Sequence, residues 1–348
     1  MNKFKRLHVP EWPQSDRELW ATARKAAGPF DNGGRAAAWS NATIRSVECG
    51  YGTYLAWLTS TLGLQADATP LDRVTEDRLR QFLDAYAPGR APLTVAGMVR
   101  GIAYFYRATI PPAGQPWLTK LAHRMTNSAS PSRPKLPRMA SLSELIEVGY
   151  RLMGTGREKL ALGNISGAPE YRDGLMIAAL AARPALRRRN LCDLRIGHSF
   201  HQTEIGFCVK LSGKDTKKGV RIEFQYPSWL NEAFDIYLRE VRPVLHRRQA
   251  NDAGWLWIGR RGNRLPADNI TTNFTNATER YLGRSISPHP VRDCAATDIA
   301  LHDPLHVGIT KDILGHKTLA SSQEHYNQAN NVNALSKLSA VLTAIIER

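Results

Sequence analysis

"TNSASPSRPKLPRMAS", residues 126 to 141, constrains the fold of this chain more than any other stretch. Prolines at 131, 134 and 137 lack the N–H that a helix or a sheet ladder requires, so the segment sustains neither. It divides a chain of 348 residues, longer than one domain usually runs, and reads as an extended linker over 126–140. Arg133, Lys135 and Arg138 stand between the prolines. They are either solvated charge or cations laid along phosphates.

Before the linker, residues 1–35 are rich in Pro, Gly and charge and carry no steady period, which reads as a mobile arm or a loosely packed cap. From Trp39 the pattern turns helical. Ser40 or Asn41 caps a helix whose Ile44, Val47, Tyr51, Leu55 and Leu58 recur at helical spacing, although Gly50 and Gly52 weaken it. A second helix opens at Thr75 and carries Leu79, Phe82, Leu83 and Tyr86; a third starts near Thr94 with Val95, Met98, Ile102 and Phe105. Residues 36–125 are therefore expected to form a small all-helical domain.

After the linker, Ser141-Leu-Ser-Glu144 is a capping box in front of Leu145, Ile146 and Val148. "DGLMIAALAARPAL" reads as a buried helix broken before Pro184. Residues 204–211, "EIGFCVKL", and 220–225, "VRIEFQ", alternate well enough for two strands joined by "SGKDTKKG". Helices follow. The second domain, 141–330, is expected to be mostly α with a small β-hairpin element. Beyond it, Leu335, Leu338, Leu342 and Ile345 fall at helical intervals in a C-terminal segment, 331–348, which packs on its own domain or docks on a neighbouring subunit.

Composition narrows the function classes. The 47 basic and 31 acidic residues leave a formal charge of +16. Such a surplus points to a polyanion, with nucleic acid first, and otherwise marks no more than a soluble basic surface. No apolar run approaches the roughly 20 residues that span a bilayer, and "MNKFKRLHVPEWPQ" lacks the apolar core of a signal peptide, so the expected location is the cytoplasm, on DNA, without membrane. Cys49, Cys192, Cys208 and Cys294 lie far apart with no C-x-x-C pair. That argues against a zinc site or a disulfide framework and for buried thiols.

Candidate cations appear in order along the second domain. "PALRRRNLCDL" places Arg187 at the start of a helix bearing Leu191 and Leu194; "SGKDTKKG" places Lys214 and Lys217 at a hairpin tip; "SPHPVRDC" supplies His289 and Arg292. "ILGHKTLASSQEHYN" follows, with His316 and Tyr326. Each motif alone is common by chance and fits a solvated face. The conjunction Arg187-x-x-Asn190-Leu191-x-x-Leu194, a Lys on a β-hairpin, His289-x-x-Arg292, Leu314-Gly315-His316 and Tyr326 resembles the tyrosine recombinases, or phage integrase family, over residues 141 to about 330. The helical domain and linker before it are similar to that family's core-binding domain. Members usually carry Glu three residues after the first Arg; this chain has Asn190, which leaves Arg187 without that carboxylate. The choice of Arg187 over Arg188 and Arg189 rests on register with Leu191 and Leu194.

The resemblance implies a helical core-binding domain followed by a mixed α/β catalytic domain, and cleavage of double-stranded DNA at inverted-repeat-like sites. Attack on a phosphodiester adds negative charge to the nonbridging oxygens, and guanidiniums suit that load. Arg187 and Arg292 would carry it in place of a metal, with no cofactor. His289 or a neighbour in the cationic site would take the proton from Tyr326, Lys214 would protonate the departing 5′ oxygen, His316 would bind the phosphate or brace the site, and Tyr326 would become linked to a 3′ phosphate. The family also implies a homo-oligomer, a tetramer on DNA. Two other functions remain open from sequence: relaxation of one duplex in the manner of a type IB topoisomerase, and a DNA-binding regulator of the same fold without catalysis.

Overall fold

The computed structural model describes residues 4–63, 68–110, 116–130, 139–216, 219, 221–247 and 251–302. His316, Tyr326, Lys217, the proline-rich stretch 131–138 and the C-terminal segment 331–348 lie outside the described residues. The chain divides into two compact units, Met1–Pro134 and Lys135–Arg348. It is mainly helical, with one three-stranded sheet in the second unit.

The first unit contains α1 (Gln14–Arg24), α2 (Asn41–Thr61), α3 (Pro70–Arg73), α4 (Glu76–Tyr86), α5 (Pro92–Thr109) and α6 (Pro116–Ser128). Local caps set several starts. The Ser40 side chain accepts from the Thr43 N–H at 3.2 Å, and Thr75 does the same for Arg78 at 3.2 Å, each satisfying a helix-end donor.

The described part of the expected arm, residues 4–35, is not loose. Trp12, Trp20 and Ala23 are buried in the same core as Tyr51, Phe105 and Leu118. The inward stripe of α1 is Asp16, Trp20 and Ala23, so its first member hides the apolar pattern. Asp16 is wholly buried and accepts from Arg73 Nη1 at 2.5 Å and from the Tyr51 hydroxyl at 3.1 Å. A buried carboxylate is tolerable only when paired in this way. At the other end, Thr126 to Ser128 complete the last turn of α6, and Met139 and Ala140 are buried in the second unit. The expected linker of 126–140 therefore overlaps structured chain at both ends.

Gly50 and Gly52 lower the intrinsic propensity of α2 and in return let other backbone approach it. A Cβ on Gly50 would meet Gly101 Cα and the Met98 carbonyl oxygen of α5, each at 2.9 Å, and one on Gly52 would meet the Leu7 carbonyl oxygen at 2.2 Å. Alanine at position 50 gains about 1 kcal/mol of helix propensity, but overpacking against rigid backbone costs about 1–3 kcal/mol. Gly50→Ala is accordingly expected to lower stability, read as a lower denaturation midpoint; an unchanged or raised midpoint would show that α2 and α5 separate without cost.

In the second unit, α7 (Leu142–Ala161) and α8 (Gly167–Ala182) pack face to face. The expected capping box opens α7: Ser141 Oγ accepts from the Glu144 N–H at 3.1 Å, and Glu144 Oε2 accepts from the Ser141 N–H at 2.7 Å. Arg284 reaches the same carboxylate. Next come α9 (Arg188–Cys192) and strands β1 (Phe200–Thr203), β2 (Gly206–Leu211) and β3 (Ile222–Gln225), antiparallel in the order β1-β2-β3. Val209 sits opposite Phe200 on one side and Phe224 on the other. The sheet thus has one strand more than its sequence pattern indicates, and Glu204 and Ile205, placed in a strand by that pattern, form the β1–β2 turn. Only Phe200 of β1 is buried, so no alternation marks the strand; it is held by Phe207 and Phe234, whose rings lie 5.4 and 5.1 Å from that of Phe200.

The remaining helices are α10 (Asn231–Ile236), α11 (Arg242–His246), α12 (Ala267–Leu282) and α13 (Pro290–His302). α12 packs on α7, α8 and α9, while α13 packs on α7 and α8. Cys192, Cys208 and Cys294 are buried free thiols and Cys49 is half-buried. Among the described residues, no helix is long and apolar enough to cross a membrane.

Candidate active site

The break that Pro184 imposes on α8 builds the first part of the site. The turn 183–187 leads directly into α9, with the half-buried Arg187 at its N-cap in extended backbone. Leu186 and Leu191 are buried on either side and fix the register, and the Arg187 carbonyl accepts from the Leu191 N–H at 2.9 Å. Arg183 Nε donates to the Gln225 carbonyl at 2.8 Å, which ties the turn to β3.

The neighbouring arginines are engaged elsewhere. Arg188 donates to Asp268 at 3.3 Å and to the Thr271 hydroxyl at 2.9 Å, both on α12, and Arg189 pairs with Asp193 at 3.5 Å. The Arg187 guanidinium makes no hydrogen bond or ion pair among the described residues.

Arg292 comes to the same turn from α13. Its Nη1 donates to the carbonyls of Pro184 and Ala185, each at 2.8 Å, and the side chain is buried. Burial, and then the charge of Arg187, push the guanidinium down to about 10. It stays protonated near neutral pH. The charge of Asp293 opposes that shift without cancelling it, and two neighbouring cations, one of them desolvated, form a seat for further negative charge. His289 lies one turn earlier, exposed, just before Pro290 starts α13; its carbonyl accepts from the Arg292 N–H at 3.3 Å.

Lys214 occupies a short 3₁₀ turn, Gly213–Asp215, between β2 and β3, and is exposed. Ser212 shapes the turn by donating to Asp215 Oδ2 from its hydroxyl at 2.6 Å and from its N–H at 3.1 Å. The Ser212 hydroxyl bond is the main cause that holds the Asp215 carboxyl below its ordinary value, and the charges of His198 and Lys214 add to it. Asn190, on α9, donates from Nδ2 to the Asp215 carbonyl at 2.8 Å.

The structure therefore brings Arg187 and Arg292 to one turn, places His289 in the turn that leads into the helix of Arg292, and ties the Lys214 turn to the helix that follows Arg187. The links through Arg183 and Asn190 were not foreseen from sequence. Their acceptors are backbone carbonyls, which no motif records; the only local signal was Asn190 itself, standing where a Glu is usual.

The model of the phage integrase family matches residues 160–332. No curated protein matches the sequence. A crystal structure of the XerH site-specific recombinase bound to difH substrate, a pre-cleavage complex, aligns with a TM-score of 0.56 at 14% identity, covering 85% of this chain and 78% of that one. The post-cleavage complex of XerH with palindromic difH gives 0.55 at 13%, covering 82% and 75%. At these identities the likeness to XerH is one of fold. The family match, across the segment that carries Arg187, Lys214, His289 and Arg292, makes this chain a member of the phage integrase family, the tyrosine recombinases.

Proposed function

We propose that this chain is a site-specific recombinase that breaks and rejoins double-stranded DNA through a 3′-phosphotyrosyl link at Tyr326. The observation that carries the reading is the seating of Arg292 on the carbonyls of the turn that presents Arg187. One guanidinium anchored before the substrate arrives, with a second presented from the turn it holds, opposes the charge that grows on a phosphodiester under attack.

The remaining steps follow from the residue chemistry. The Tyr326 oxygen attacks phosphorus and its proton passes to His289 or a group beside it. His316 binds or braces the phosphate. The P–O5′ bond breaks and the departing oxygen takes a proton from Lys214. The phosphotyrosyl bond keeps the energy of the broken one, so the reverse attack by a 5′ hydroxyl rejoins the strand without ATP. Exchange between duplexes then needs several copies on paired, inverted-repeat-like sites; a tetramer linked by segment 331–348 meets that need.

The direct test is to present the protein with a nicked duplex carrying the site it selects from random-sequence DNA, so that the cleaved 5′ end diffuses away. A protein–DNA adduct that survives denaturation and maps to Tyr326 is the expected result. Site-specific binding with no adduct would assign the chain to the non-catalytic regulators, and relaxation of supercoiled plasmid without a preferred site would assign it to the topoisomerases.

The general-acid role has its own test. A 5′-bridging sulfur leaves without protonation, so Lys214→Ala should cleave an ordinary site slowly and a 5′-thio site at close to the wild-type rate. Equal defects on both substrates would remove Lys214 from that role.

A further inference from the structure

Asn190 is buried, 5% exposed, in a short helix otherwise occupied by Arg188, Arg189 and two core residues. Its partner is the carbonyl oxygen of Asp215, which can only accept, so the amide end facing it must be the NH₂ donor. Within the turn, Ser212 bonds to Asp215, and the Thr216 hydroxyl bonds to the Gly213 carbonyl at 3.2 Å. They fix the shape of the turn. The Asn190 bond reaches outside it and fixes its position against α9.

We infer that Asn190 is a positioning residue for Lys214, a role that requires an amide donor and that a carboxylate at this position cannot fill. The inference rests on the recombinase reading above. An ionised Asp or Glu at 190 would set lone pairs against the Asp215 carbonyl. A buried acceptor facing an acceptor loses the bond and leaves two groups unsatisfied. In this chain the Glu usual in the family is therefore not an equivalent of Asn190: the polarity of the contact is reversed.

Lys214 keeps its own chemistry in either case. What changes is where its ammonium stands. A misplacement on the order of 1 Å costs up to about 100-fold in a step that depends on fixed geometry. Asn190→Asp keeps the volume and removes the donor, so it tests polarity without opening a cavity; Asn190→Ala tests removal of the whole amide.

The experiment measures adduct formation by the full chain on its selected site with a 5′ oxygen or a 5′ sulfur at the scissile phosphate, together with amide hydrogen exchange over 212–216 without DNA. Both variants should cleave the oxygen substrate about 10- to 100-fold more slowly than wild type and recover on sulfur, as Lys214→Ala does. Adding Asn190→Asp to Lys214→Ala should slow the reaction no further, because the two act through one group. Exchange over 212–216 should rise in both variants by more than the fall in global stability, read from the melting temperature, accounts for.

A defect of equal size on both substrates would overturn the inference, since it would place Asn190 behind the arginines or the fold. Unchanged exchange over 212–216 would also overturn it. Should the wild-type chain form no adduct on either substrate, the recombinase reading fails, and the exchange measurement still decides whether Asn190 holds the turn.

Discussion

Tyr326→Phe is expected to abolish the covalent protein–DNA adduct while leaving affinity for the duplex nearly unchanged. The substitution removes one hydroxyl and keeps the ring, so packing around it changes little. Affinity for a duplex comes mainly from phosphate contacts spread over many cations, and a chain with 47 Lys and Arg against 31 Asp and Glu has these in surplus. The chemical step has no such reserve. A phenol with an ordinary pKa near 10 must give up its proton as it attacks, and only an oxygen held in line with the phosphate can do so. The assay is a denaturing gel for the adduct beside a binding titration at fixed salt, because the salt dependence of phosphate contacts confounds any comparison between conditions. Adduct formation by the Phe variant would place the nucleophile elsewhere in the chain. Loss of binding in parallel with loss of adduct would show that Tyr326 holds structure.

Helix starts in this chain are legible in sequence where the cap is local. Ser40, Thr75 and Ser141 each bond a group three residues on, and each stands where the sequence predicts. What was not legible depends on partners far along the chain. The inward stripe of α1 begins with Asp16, whose burial makes sense only with Arg73, 57 residues later. Strand β1 has one buried residue of four, and its aromatic neighbours come from β2 and α10. Gly50 lowers the intrinsic propensity of α2, and its purpose is visible only when Gly101 lies against it.

The site divides in the same way. The order of Arg187, Lys214, His289, Arg292, His316 and Tyr326 is readable because a resemblance supplies the pattern; no spacing rule brings residues that far apart together. How the described ones are held is a matter of backbone carbonyls. Arg292 finds those of Pro184 and Ala185 across 108 and 107 positions, and Asn190 finds that of Asp215 across 25. Any residue type offers a carbonyl, so sequence carries no mark of these acceptors.

That anchoring sets the expected result for the two arginines. Arg187→Ala removes a donor aimed at developing charge and should raise the barrier by about 3 kcal/mol or more, at least ~100-fold in the rate of adduct formation. Arg292→Ala should cost more, because it also releases the Pro184 and Ala185 carbonyls that hold the Arg187 turn. The double variant should then lose less than the two single losses combined, as expected for groups that act as a unit. Lysine at 292 keeps a charge but cannot reach two carbonyls and a phosphate with one planar fork, so Arg292→Lys should stay well below wild type. Arg188→Ala and Arg189→Ala should be mild, since their partners are exposed or half-buried groups on α12 and at the C-cap of α9. The pH dependence of stability has a definite sign. Burial and Arg187 lower the Arg292 pKa in the folded chain to about 10, so the unfolded chain holds this proton more tightly. The cost of the buried charge is fully present below pH 10 and is relieved as pH rises above it. A bound anion offsets the same cost near neutral pH, so inorganic sulfate should raise the melting temperature of the wild type more than that of Arg292→Ala. Equal sulfate effects would show that the arginine pair is no anion seat, and a larger rate loss from Arg188→Ala or Arg189→Ala than from Arg187→Ala would move the first catalytic arginine along α9.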